Sequence, residues 1–277
     1  RLREAVQPGG TDMRQITGPR RHMFEVEVFK IFVLVLVRFT GLIVTAPVLG
    51  SSNFPATAKI GLAGLAALMI TPNIPVLATP IPDDAVGFGI LALGELMIGM
   101  CIGFLMTLTF AAIQIGGQVL DMQTGFGLMN IFNPALETQV PIFGFFLFLI
   151  AVLYLLALDG HHMMIRALVS TYDRIPPGGF AARPELLGEV STWGRAMFID
   201  GFLIAAPVAG ALMLAYVTMG LLGRLIPQIH LFVIGFPLTI AVGLLVVALS
   251  LTVYLRLLDG MFERMFRDVD TLIRGMA

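Results

Sequence analysis

Six stretches of this chain are apolar over the length that crosses a bilayer, and nothing else limits the fold as strongly. A spanning helix needs about 20 apolar residues. Residues 24–49, 56–77, 85–115, 142–158, 196–222 and 229–255 approach or exceed that length, the third by a wide margin. Lipid offers no partner to a backbone N–H or C=O, so the spanning pieces must be helices or a closed barrel. Strands alternate in pairs and these runs do not, so the fold class is all-α, a polytopic membrane protein of about six helical segments. Composition agrees: 57% of residues are hydrophobic and 13% charged, against about 45–50% and 25% in a soluble domain.

The remaining composition mostly excludes. A net charge of −1 gives no reason to expect a nucleic-acid partner. Cys101 is the sole cysteine, which rules out an internal disulfide and a cysteine metal site. Asp159-Gly160-His161-His162 places its imidazoles side by side, not at the i, i+4 spacing by which H-E-x-x-H holds zinc. Asp159 and His161 read instead as residues that cap and anchor a helix start. There is no nucleophile elbow and no phosphate-cradling glycine loop. The chain is therefore expected to carry no catalytic, metal or cofactor residues.

Residues 1–22 are polar, Arg-bearing and broken by Gly and Pro, and the hydrophobic pattern begins at Met23. That stretch is expected to be disordered or not native to the folded protein. Asp83 and Asp84, after a Pro-rich turn, suit the N-cap of the third segment. Residues 161–172 carry Met163, Met164, Ala167, Leu168 and Thr171 at helical spacing and predict an interfacial helix. With both termini cytoplasmic, every Lys and Arg except Arg38, Lys59 and Arg224 falls on the cytoplasmic side, as the positive-inside rule prefers.

Arg38, Lys59, Glu95 and Asp200 lie within or beside apolar segments. A charge at a helix centre costs about 2.5–3.5 kcal/mol on insertion scales, so these must pair or face a wet interior. An Arg38–Glu95 pair is one expectation. Coupling of Arg38, Glu95 and Asp200 to a proton or substrate, as in a secondary transporter, is the other; it predicts inverted repeats, and no matched pair is visible. Gly99 and Gly103 form a GxxxG, with Gly116 and Gly117 further along, and such residues let helices approach closely. Pro207, Pro227 and Pro237 are expected to break or kink the last two helices.

Between the third and fourth segments, residues 125–141 are too apolar for an ordinary surface loop. Phe126, Leu128, Met129, Ile131 and Phe132 surround Gly125 and Gly127 and lead to an Asn133-Pro134 turn. Irregular backbone at membrane depth survives only when packed in protein or lining an aqueous cavity. Two readings follow: a re-entrant turn packed on its own helices, or a soft plug.

Several motifs in this order resemble the FliR family of flagellar type III export-gate subunits. They are Thr45-Ala-Pro-Val-Leu-Gly50-Ser51 running to Lys59; Gly94-Glu95-Leu-Met-Ile-Gly99 with Gly103-Phe104; residues 116–141; Leu158-Asp159-Gly160-His161; and residues 215–237, which end in Gly235-Phe236-Pro237. The homologous injectisome subunit is the nearest alternative, and the Ala46-Pro-Val-Leu-Gly50 start favours the flagellar one. Asn133 stands where the family commonly has Asp, and Thr239 where it commonly has Lys.

The resemblance implies a FliP-like part, residues 23–190, followed by a FliQ-like helical hairpin and C-terminal tail, residues 191–277. It implies a single copy in the bacterial inner membrane at the flagellar basal body, assembled with FliP, FliQ and FlhB around a channel for exported unfolded flagellar proteins and in contact with membrane lipid. Gly125, Phe126, Gly127, Met129, Phe132, Asn133 and Pro134 would then form the channel plug. The hairpin tip at Pro227, Gln228, Phe236 and Pro237 would dock a partner or be a simple helix break.

Overall fold

The computed structural model describes residues 19–51, 54–74, 81–127, 141–181, 183–184, 186–226 and 231–277. Helix α1 spans Pro19–Thr45, α2 Ala56–Ile70, α3 Ala85–Thr124, α4 Ile142–Ala157, α5 Gly160–Ser170, α6 Leu186–Leu225 and α7 Leu231–Gly275. Among the described residues there is no strand, so the protein is an all-α polytopic membrane protein.

The segment count differs from the sequence expectation. Among the described residues, four helices (α1, α3, α6 and α7) are long and apolar enough to cross a membrane, with a fifth span if α4 and α5 are taken together across their 68° bend. The second expected span fails on length. Helix α2 holds 15 residues, about 22 Å at 1.5 Å per residue, before the 3-10 turn at Thr71–Asn73 with Pro72 inside it. Helices α3 and α6 have 40 residues each and α7 has 45. At about 60 Å or more they are twice the ~30 Å hydrocarbon thickness.

Helix α7 outruns its apolar stretch because its second half is amphipathic. Leu258, Met261, Phe262, Met265, Val269, Leu272, Ile273 and Met276 recur at helical spacing and are all buried. Charged residues occupy the opposite face, so the tail expected after Leu255 is helical to Gly275. Upstream, α1 begins at Pro19 rather than at Met23. Pro207 and Pro237 lie inside unbroken helices, so neither ends its helix; Pro227 lies outside the described residues.

Helix α3 is the axis on which α1, α4, α6 and α7 pack, and its glycines set the crossings. A Cβ at Gly99 would overlap the carbonyl of Arg38, and one at Gly103 would overlap the Thr45 hydroxyl, so α1 lies directly on this edge. Gly116 stands 2.8 Å, as a virtual Cβ, from the carbonyl oxygen of Gly201 on α6. Gly117 faces the backbone of Gly144 on α4. Backbones can come this close only where no side chain intervenes. The contacts at Lys30–Asp83, Arg38–Glu95 and Thr45–Gly103 show α1 running parallel to the first half of α3. Helix α6 runs parallel to the second half, and α4 and α7 return antiparallel. The N-cap of α3 is Asp84, whose Oδ2 accepts from Gly87 N–H at 2.7 Å.

Candidate functional site

Two constellations lie along α3. The first is a buried polar hub about a quarter of the way along it. Arg38 of α1 donates from Nε to Glu95 Oε2 at 2.6 Å and from Nη2 to Oε1 at 3.1 Å, a two-pronged pair with both side chains fully buried. Its Nη1 donates to Thr171 Oγ1 at 2.6 Å, and both Nη1 and Nη2 reach the Ile175 carbonyl at 3.2 Å. Glu95 Oε1 also accepts from Gly178 N–H at 2.7 Å. The guanidinium lies 4.1 Å from the Tyr172 ring centroid. A buried charge is tolerable only when paired and fully hydrogen-bonded, and this arrangement meets that condition. It joins α1, α3 and the 171–178 turn into one unit.

The other apolar-segment charges are elsewhere. Nη2 of Arg264 on α7 donates to both carboxylate oxygens of Asp200 on α6, at 2.9 and 3.0 Å, and Asp200 is partly exposed. Lys59 donates to the carbonyls of Gly50 and Ser51 at 3.0 and 2.9 Å. Arg38 and Glu95 therefore meet each other, while Asp200 belongs to a separate pair between the last two helices.

The second constellation closes the far end of α3, where residues 125–141 begin. Gly125 ends the helix in a left-handed conformation, φ 95°, which only glycine adopts freely. Its Cα side is also covered, since a Cβ there would stand 2.7 Å from the Phe236 ring of α7. The last carbonyls of a helix have no partner within it. Here Thr239 Oγ1 donates to the Thr124 carbonyl at 3.0 Å, and the Tyr216 hydroxyl of α6 donates to the Gln123 carbonyl. A neutral hydroxyl thus makes this contact at position 239.

Asp121 holds the other end of the segment. Its Oδ1 accepts from Phe143 N–H at 3.1 Å and its Oδ2 from Gly144 N–H at 3.2 Å, so α3 caps the start of α4. The Phe126 and Phe143 rings meet edge to face at 5.7 Å. Gly125, Phe126 and Gly127 are thus placed at the base of the segment. Met129, Phe132, Asn133 and Pro134, with Pro227 and Gln228 of the hairpin tip, lie outside the described residues. Phe236 lies on α7 beside Gly125, and Pro237 follows it inside the same helix.

Sequence reasoning missed Asp121, Thr171, Tyr172 and Tyr216. Only Asp121 carried a signal. A carboxylate in the last turn of an apolar helix opposes the helix dipole and so calls for a partner. The others act through tertiary contacts alone. Asp159 does occupy the N-cap position of α5, but its side chain makes no capping bond.

These features define a class: an all-α membrane protein on a glycine-edged central helix, with a sealed ion pair at one level and a helix end tied off by its neighbours at another. Residues 29–265 match the family model of bacterial export proteins, family 1. The chain belongs to that family. It is similar to the flagellar biosynthetic protein FliR of Escherichia coli K12, 31% identical over 238 residues, covering 86% of this chain and 90% of that one. FliR of Bacillus subtilis is 29% identical over 253 residues, covering 90% and 96%. FliR of Aquifex aeolicus is 28% identical over 242 residues, covering 86% and 92%.

Proposed function

We propose that this chain is a single-copy, membrane-embedded subunit of the flagellar type III export gate. In this reading it sits in the bacterial inner membrane and helps to form and plug a channel for unfolded flagellar proteins. The observation that carries the reading is the family match across residues 29–265. The architecture supports it in two ways. Helices of about 60 Å suit a subunit that stands partly out of the bilayer among neighbours better than a bundle of simple spans. Large apolar side chains such as Phe202, Leu214, Val217 and Leu249 face outward on α6 and α7, and patches of this kind fit lipid or other hydrophobic subunits.

The partners proposed are FliP, FliQ and FlhB. The α6–α7 hairpin is the FliQ-like part, and the elements before it are FliP-like. Residues 125–141 act as the plug: an apolar constriction dewets and stops ions, and thioether and phenyl groups such as Met129 and Phe132 adapt to a moving chain. The transporter alternative loses ground on one observation. Arg38 and Glu95 are engaged by several bonds each and sealed from solvent, so neither is free to bind a coupled ion.

Native mass spectrometry tests the assembly. The chain is co-expressed with its genomic neighbours and extracted in mild detergent. One copy among several copies of two small hydrophobic partners is expected, and a lone monomer or homodimer despite co-expression rejects the reading.

A further inference from the structure

One cluster of ligand-type side chains stands apart from both constellations, at the elbow between α4 and α5. Asp159, His161 and His162 each offer a ligand atom, and these atoms lie within 4.8 Å of one another. Asp159 takes a left-handed conformation, φ 56° and ψ 26°. An aspartate at an N-cap ordinarily accepts a bond from an N–H two or three residues on. Here the carboxylate caps nothing, and Oδ1 stands 3.4 Å from His162 Nδ1. The two imidazole rings lie 4.1 Å apart, centroid to centroid. Nδ1 of His161 is shut away from solvent and has no hydrogen-bond partner among the described residues.

A metal ion accounts for these features together. Nitrogen and oxygen ligands about 2.1 Å from a tetrahedral ion stand about 3.4 Å from each other, the spacing Asp159 and His162 already have. An unsatisfied imidazole nitrogen that cannot reach water is costly as it stands, and a cation supplies the missing partner. Asp259 and Glu263 of α7 line the groove beside Leu158 and Gly160, so the local field favours positive charge. We propose that Asp159, His161 and His162 bind one divalent transition cation of the zinc or nickel kind, with water completing the coordination. Two imidazoles and one carboxylate suit such ions better than magnesium or calcium. The bound ion ties the left-handed turn to the first turn of α5 and fixes the 68° bend.

The test uses full-length protein without a histidine tag, purified in mild detergent and stripped with chelator. Zn2+ is titrated against a chromophoric chelator, and Co2+ is followed by its visible absorption. One ion per chain is expected, with Kd roughly micromolar. Asp159→Asn, which keeps a residue tolerant of the left-handed region, is expected to weaken binding about tenfold or more. The His161→Ala/His162→Ala double variant is expected to lose binding and the Co2+ bands. Background binding by the unaltered protein overturns the site. So does full binding by the double variant, which would assign the ion to His22, His230 or Cys101. If the double variant does not fold by circular dichroism, an unchanged affinity in Asp159→Asn overturns it alone.

Discussion

Arg38 and Glu95, 57 positions apart, meet through two hydrogen bonds at a point where neither side chain touches solvent. Removing one member leaves the other charged and buried, which costs about 3–5 kcal/mol. Arg38→Leu and Glu95→Gln are each expected to lower thermal stability in detergent and reduce accumulation in cells. The Arg38→Glu/Glu95→Arg exchange is expected to recover only part of the loss, because Thr171 and Ile175 also depend on the guanidinium. Single variants within about 1 kcal/mol of the unaltered protein would count against the hub.

The Tyr172 hydroxyl is buried without a hydrogen-bond partner among the described residues, while its ring lies against Arg38. Tyr172→Phe keeps the ring and removes the stranded hydroxyl. Stability is expected to be unchanged or to rise by up to about 1 kcal/mol. Tyr172→Leu, which also removes the ring face, is expected to lower it. A clear loss in the Phe variant would mean that the hydroxyl has a partner after all.

Asp121→Ala deprives the first amides of α4 of their acceptor. Loss of such a cap costs about 0.5–2 kcal/mol, so amide exchange at Phe143 and Gly144 should accelerate by roughly twofold to thirtyfold, read by hydrogen–deuterium mass spectrometry. Asp121→Asn keeps one acceptor oxygen and should fall between. Equal exchange in all three proteins would remove Asp121 from this role.

Glycines on α3 and glycines facing away from the core should behave oppositely. Gly99→Ala, Gly103→Ala and Gly117→Ala put a methyl group into a neighbouring backbone or hydroxyl and are expected to cost about 1–3 kcal/mol by overpacking. Gly210→Ala and Gly220→Ala meet nothing within 4 Å and are expected to stabilise their helix by about 0.5–1 kcal/mol. The comparison is made on the isolated subunit by thermal unfolding. Identical behaviour of the two groups would contradict the crossings described.

Deleting residues 125–134 is expected to raise ion leak through the assembled gate, measured as conductance or salt sensitivity of cells carrying an otherwise intact export apparatus. This outcome rests on the plug reading. An unchanged conductance with normal assembly returns the segment to a structural turn.

Much of this was legible along the chain. A helix at each strongly apolar run follows from the cost of unpaired backbone in lipid, the Asp84 cap follows from local bonding, and the short helix after Gly160 follows from the helical spacing of Met163, Met164, Ala167 and Leu168. The expected Arg38–Glu95 contact rested on the cost of lone buried charges. What the chain order hid was length and company. Helix α7 continues past Leu255 because its later residues present an apolar stripe to α3 and α6, a match that exists only once those helices are in place. Helix α2 looked long enough to span because hydropathy does not register the turn at Pro72.

The sequence by itself determined that this is an all-α membrane protein and which residues had to find partners, because burial costs attach to residue types wherever they sit. Tertiary structure alone decided who those partners are. It set Asp121 on the amides of α4, Thr171 on Arg38, and Tyr216 and Thr239 on the last carbonyls of α3. Such bonds join positions up to 133 residues apart. Their geometry depends on how close the glycine edges let the helices come, which no local pattern records.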